Sequence, residues 1–325
     1  MAYTTIDKPS DYFNTKLYTG TGSSHAVTGV GFQSDWTWIK RRDAGTNYHV
    51  LTDSVRGATV QHYSNHNQAE QTVAEGLKSF DSDGFTLGTN GDTNGSSRTY
   101  ASWNWKETAT AGFDIVVYTG TGSSNAVSHS LSATPNMMII KNRDDTDSWY
   151  VWHQGLGAVA SNYINLDTTG AKSSVSDGIT AISSSNFTVN TRGDVNASSE
   201  KYIAYCFSEV KGFSKFGSYV GNGNASGTFV YTGFKPAWVM VKRTDSTANW
   251  QILDNKRNTY NPWNTALFPD TTDPDTTDYS TDHLSNGFKL RVTTTSRNGS
   301  DMSYIYMAFA ENPFVTSTGV PATAR

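Results

Sequence analysis

Apolar and polar residues alternate in short runs along this chain, and the same runs return at a fixed interval. The clearest run reads YASWNWKE from Tyr100, YIAYCFSE from Tyr202 and YIYMAFAE from Tyr304, a step of 102 residues each time. A period of two predicts a β-strand. One face carries Ala101, Trp103 and Trp105, then Ile203, Tyr205 and Phe207, then Ile305, Met307 and Phe309. The other face turns small in the later copies, with Ala204, Cys206 and Ser208 and with Ala308 and Ala310. Such a strand belongs inside a packed β layer, so the large side chains are expected to be buried.

Other runs keep the same interval. YTGTGSS occurs at Tyr18 and Tyr118, and a looser copy starts at Tyr219. WIKRRD, IIKNRD and VMVKRTD place Lys40, Lys141 and Lys242 at steps of 101. Those lysines are expected at solvated strand ends. An aromatic strand follows, and the spacing aligns Tyr48 with Trp149 and Trp250. A last shared turn and strand hold Phe85, Phe187 and Phe288.

At least six strand candidates per hundred residues, separated by Gly, Asn, Asp and Ser turns, predict an all-β protein. The expected architecture is three tandem β-sandwich repeats, jelly-roll-like, of about 100 residues each. The boundaries read as an N-terminal arm at 1–12, repeats at 13–112, 113–212 and 213–315, and a polar, extended tail at 316–325. The third repeat carries an acidic insertion at 259–283.

Composition narrows the function classes. Charged residues are 17% against about 25% in ordinary globular chains. Aromatics reach 13%, which excludes disorder and supplies buried area to a polar chain. Net charge is -4 with no basic stripe, so nucleic acid is not an expected partner. The single Cys206 rules out an internal disulfide and reads as a small buried hydrophobe. MAYTTIDKPSDYF contains no apolar run, so neither a signal peptide nor membrane insertion is expected, and synthesis is cytoplasmic.

Chemistry-bearing motifs are sparse. The Gly-rich YTGTGSS is followed by strand-like sequence, whereas a phosphate loop needs a helix start. DSDG at Asp81 lacks the remaining oxygen ligands of a calcium loop, and the matching turns SSSN and LSNG have no carboxylate. The RGD at Arg192 aligns with NGD at Asn90, and the sequons at Asn94, Asn196 and Asn298 fall in the same repeated turn. A shared turn explains all of these. No paired carboxylates, His-Asp-Ser set or metal-ligand spacing stands out, so no catalytic residue is assigned and an enzyme is not expected.

Two features are left over. The insertion concentrates Asp270, Asp273, Asp275 and Asp278 without a nearby Lys or Arg in sequence, a candidate for Ca²⁺ with a solvated loop as its alternative. The stretches 55–78, 156–180 and 259–283 differ between repeats and carry His62, Tyr63, Tyr163, Trp263 and Tyr279. Tyr63, Tyr163 and Trp263 are the candidate ligand-binding residues, because an aromatic face beside amides suits a sugar ring. The alternative is that they pack onto the next repeat.

Across nearly the whole length, the phrases MAYTTIDKPSDYF, YTGTGSS, WIKRRD, SFDSDGFTLG, AWVMVKRTD and YIYMAFAENPF resemble structural proteins of tailed, especially marine, bacteriophages. These are virion and tail-fibre-type products. Ser34 stands where that family often has Pro, and His283 where it often has an aromatic. The resemblance implies a non-enzymatic virion component on the particle exterior, of tail-fibre or adhesion type. A head decoration or capsid fibre is the second reading, and a glycan-binding or glycan-cleaving β-sandwich protein the third. Implied partners are other virion proteins, host-surface glycan and further copies of the chain, with a trimer favoured for a fibre. The resemblance carries over no site residues and no cofactor.

Overall fold

A computed structural model describes residues 3–322, so residues 1 and 2 of the expected arm and 323–325 of the expected tail lie outside the described residues. The fold is all-β. Every strand pair is antiparallel, and the helical elements are all of three or four residues. Among the described residues no helix is long and apolar enough to cross a membrane.

Between Phe13 and Trp105 the chain builds two sheets. The larger has the spatial order Phe13–Thr19, Thr99–Trp105, Trp36–Arg41, His49–Asp53, Val60–Tyr63, Gln71–Thr72. The smaller pairs His25–Thr28 with Gly84–Leu87 and that strand with Leu77–Asp81. The stretch 113–207 repeats both orders strand for strand. The stretch 214–313 keeps the smaller sheet and the first four strands of the larger. There the acidic insertion replaces the outer strands, and isolated bridges, Ile252 to Leu267 and then Ala266 to Thr276, continue the ladder. These three stretches are called the first, second and third units below.

The two faces of the repeated strand have different jobs. Its smaller-residue face packs against the smaller sheet of the same unit. In the second unit this gives a core of Tyr202, Ala204 and Cys206 with Val127, Phe187 and Val189. Its large-residue face packs between units. Trp103, Trp105, Tyr205, Phe207, Met307 and Phe309 are all buried in one cluster that all three units share. Trp36 stacks on Tyr205 at 4.5 Å, Trp105 meets Trp238 edge-on at 5.6 Å, and Phe207 meets Phe309 at 6.2 Å. Each unit therefore touches both others, and the three larger sheets surround a common aromatic core.

The repeated turns are fixed by a repeated buried amide. Asn94, Asn196 and Asn298 are fully buried. Each accepts from an amide of the Gly-rich turn, at Thr21 (2.8 Å), Thr121 (2.9 Å) and Asn222 (3.1 Å). Each also donates back to it, to Ser23, Ser123 and Asn224. The turn's amides are thus spent on folding, and Gly22, Gly122 and Gly223 supply its positive φ.

Three expectations change. Lys40, Lys141 and Lys242 are buried, not solvated, because backbone carbonyls receive each ammonium. His49, not Tyr48, is the counterpart of Trp149 and Trp250. It lies opposite Lys40 and four residues before Asp53, as Trp149 precedes His153 and Trp250 precedes Asp254 by four. One extra residue in the first hairpin hides this in the sequence spacing. The tail is not extended: a bridge joins Val315 to Pro321, and Ser317 bonds Asp7 of the arm. The arm in turn docks on the third unit, where the Tyr3 hydroxyl donates to the Gly233 carbonyl at 2.7 Å.

A shared core makes a unit dependent on its neighbours. Residues 113–212 expressed alone would expose Met137, Ile139, Ile203, Tyr205 and Phe207. The expected outcome is a fragment without a cooperative melt that binds a hydrophobic dye. A sharp thermal transition in the fragment would contradict this.

Candidate functional site

The stretches that differ between units turn out to be the contacts between units. Each follows the strand ending at Asp53, His153 or Asp254 and reaches onto a neighbour. In the first seam, between the first and second units, the Tyr205 hydroxyl donates to Asp53 at 2.9 Å. In the second seam His153 Nε2 donates to the Tyr306 carbonyl at 3.1 Å, since its Nδ1 accepts from Gly155. In the third seam Trp103 Nε1 donates to Asp254 at 3.1 Å. The contacts run from first unit to second, second to third and third back to first.

Further contacts follow the same cycle. The amides of Glu70, Lys172 and Asp275 donate to the carbonyls of Arg143, Thr244 and Arg42 at 2.9, 3.0 and 3.0 Å. Trp149 Nε1 donates to the Tyr63 carbonyl and Trp250 Nε1 to the Asn165 carbonyl. In the matching place His49 approaches the Phe268 carbonyl, but its Nε2 makes no hydrogen bond of ordinary geometry.

Charge separates the seams. In the first, Arg56 bonds Asp53 at 2.6 Å with both side chains fully buried, and Glu70 bonds Arg143 across the seam at 2.8 Å. In the third, Arg257 bonds the buried Asp254 at 2.6 Å and Asp275 at 3.0 Å, and Asp275 also bonds Arg42 at 2.8 Å. The second seam has His153 and Leu156 at the matching positions, and Leu156 joins the aromatic core. Burial alone would raise the Asp254 carboxyl, but the Arg257 guanidinium beside it holds it below its ordinary range.

The candidate residues sit within this framework. Tyr63 is buried, accepts from Gln61 through its hydroxyl at 2.8 Å and packs on Tyr48. Trp263 is buried with its ring on His283 and its neighbours Leu253 and Ala266. Tyr163 is half-buried between Tyr150, which it stacks on at 4.9 Å, and the guanidinium of Arg192 at 4.4 Å. His62 is buried and Tyr279 half-buried. The structure thus gives each of these rings a packing partner and brings Tyr63, Tyr163 and Trp263 together nowhere.

The acidic insertion also disperses. Asp270 accepts from Asn249 and from the Trp250 amide, both at 3.1 Å, and burial pushes it up to about 7. Asp275 holds two arginines, while Asp273 and Asp278 are exposed. Among the described residues no group of three or more His, Cys, Asp or Glu converges on a cation position. The basic partners Arg42 and Arg257 lie outside the insertion, which is why its local sequence looked unbalanced.

Sequence reasoning also missed the buried lysines and histidines. Burial lowers Lys40, Lys141 and Lys242 to about 8 and His153 to about 4, and takes His49, His62 and His283 well below their ordinary range. Burial raises Glu107 to about 7, with Asp114 close by. The 101-residue spacing of the lysines was a signal, but it could not distinguish a buried from a solvated position.

The arrangement defines a class: an all-β protein whose three stretches close on one another through a common core and three cyclic seams. The chain belongs to a family described as a domain of unknown function (DUF7483), which it matches over residues 8–313. No curated protein matches it.

Two predictions follow from the seams. The folded chain keeps four histidines neutral, whereas the unfolded chain protonates them below about pH 6.5. The folded Asp270 and Glu107, raised to about 7, and Asp194, raised to about 6, take up protons in the same range and offset part of this. Stability therefore falls below that value less steeply than four histidines alone would give, and the Asp254 contribution is lost at still lower pH. Thermal melts from pH 8 to pH 5 should show a falling midpoint; an unchanged midpoint would refute the account. Separately, Arg257→Leu copies Leu156 but leaves Asp254 buried and unpaired, at a cost of about 3–5 kcal/mol in urea unfolding. Adding Asp254→His, which copies the second seam, should recover part of that loss.

Proposed function

We propose that this protein is a non-enzymatic structural component of a tailed-phage virion, exposed on the particle, of tail-fibre or adhesion type. The observation that carries the reading is the resemblance of its repeated phrases, from WIKRRD to YIYMAFAENPF, to such virion proteins. The architecture is compatible with that role. A closed aromatic core shared by all three units resists opening without a disulfide, ion pairs from Glu70 to Arg143 and from Asp275 to Arg42 cross two of the seams, and the arm and tail are tied together through Asp7 and Ser317.

Display on a particle calls for contacts with other virion proteins and with copies of the chain, a trimer being the form that suits a fibre. The three larger sheets are already used internally, so such contacts would fall on the outer faces and sheet edges. A head decoration or capsid fibre would draw on the same features.

Antibody labelling of purified particles in the electron microscope tests the proposal. Label on the tail or its fibres is the expected result, and label on the head would move the assignment to a decoration protein. Particles that lack the protein altogether would end the virion reading.

A further inference from the structure

The three seams invite a position-by-position comparison, and the third differs from the others where the core meets solvent. Each unit opens with a strand whose core-facing row points into a seam. Its second member, opposite the large residue of the repeated strand, is Ile115 in the second unit and Phe216 in the third. In the first unit that place is taken by Thr15, opposite Trp103. The loop residue facing it also changes. Ser54 donates to Asp35, and Gln154 donates to the Phe216 carbonyl and accepts from Asn136. Their counterpart Asn255 is 8% exposed, and its Oδ1 has no hydrogen-bond partner. Thr15 is 4% exposed, and its Oγ1 has none either. The next residue is Val55 in the first unit, Gly155 in the second and Lys256 in the third.

These exchanges leave space. A cavity of about 70 Å³ is walled by Phe13, Thr15, Asn255, Lys256 and Glu311, whose carboxylate is paired with Lys235 at 3.5 Å and faces the cavity end, not the groove where Lys16 lies. It adjoins an open groove of about 280 Å³ walled by Thr15, Lys16, Gly29 and Lys256. The two share Asn14, Thr15 and Lys256. Together they reach the low end of small-molecule sites, about 300 Å³. The floor offers a hydroxyl, which can donate or accept, and an amide oxygen, which accepts. Lys256 is exposed at the rim, with Lys16 on the other side. Asp83 lies near Lys16, but its two oxygens already accept from the Gly29 and Gly31 amides.

We infer that the third seam is a binding site for an acidic monosaccharide unit, a hexuronic acid in type. Its carboxylate meets Lys256 in the groove, and a hydroxyl enters the cavity to bond Thr15 and Asn255. A plain anion would leave the Thr15 and Asn255 atoms unmet, and a neutral sugar would forgo the charge-assisted bond. The other seams cannot take the same ligand, because Ile115 and Phe216 fill the matching place. As a point of host attachment the site rests on the virion reading above; as a binding site it stands on the isolated protein alone, so the two fail separately.

The test uses the intact chain. D-glucuronate and D-galacturonate are titrated against it by calorimetry and saturation-transfer NMR, with D-glucose and inorganic phosphate as comparisons. Saturable uronate binding is expected, weakened about tenfold by Lys256→Ala, since a bond to a charged group is lost. Thr15→Ile, which copies Ile115, should abolish binding and raise the melting temperature by filling the cavity. Val55→Ala, at the matching place of the first seam, should leave binding unchanged. If Thr15→Ile misfolds, the exposed Lys256→Ala still decides. No binding of either uronate at millimolar concentration would overturn the inference. So would phosphate binding as tightly as uronate, or uronate binding indifferent to Lys256→Ala.

Discussion

The fold depends on finding cover for the large face of one strand. Trp103 and Trp105, Tyr205 and Phe207, Met307 and Phe309 project from the middle of each larger sheet, away from the unit's own smaller sheet. A two-sheet unit leaves that face wet. Three units placed with these faces inward cover one another, and no residue outside the chain is needed. Burial of aromatic side chains is non-directional and scales with area, so it drives the collapse. It does not fix the rotation of one unit against the next.

Rotation is set by the polar cycle around the core. Each seam repeats the same backbone bond, from Glu70, Lys172 or Asp275 to the neighbour's carbonyl, at nearly constant length. The side chains around that bond vary. The first and third seams bury an Asp-Arg pair and extend it across the boundary; the second uses His153 and Leu156. A buried ion pair contributes little net stability, but it penalises a wrong partner heavily. Two ionic seams and one neutral seam therefore make a cyclic permutation of the units costly. The chain connection between units, at 106–112 and 208–213, limits the same errors from outside.

The strands, their order in the repeat and the buried face were legible in the sequence, because period-two alternation and a 102-residue step are local and regular. Three things were not. Lys40, Lys141 and Lys242 looked like solvated ends because a strand's own pattern does not reveal which carbonyls a neighbour will bring. The pairing of His49 with Trp149 was hidden by a single inserted residue, which only the ladder resolves. And the sequence left open whether Tyr63 and Trp263 face a ligand or pack onto the next unit, because divergence between copies fits a surface loop and a contact equally well. Loops do vary more at surfaces. Here the copies diverge because each loop meets a different neighbour.

That last point changes where a ligand site should be sought. In a chain built of similar units, a residue kept in all copies answers to the unit, and a residue that differs answers first to its seam. Val55, Gly155 and Lys256 differ, and so do Thr15, Ile115 and Phe216. Packing accounts for Ile115 and Phe216, since each fills its seam. It does not account for Thr15, where a threonine costs the core a side chain's worth of contact and leaves a hydroxyl unmatched in a buried place. Other buried polar atoms of the core are also unmatched, among them Trp36 Nε1 and Gln61 Oε1; what sets Thr15 apart is that it opens into a cavity and groove that Lys16 and Lys256 flank.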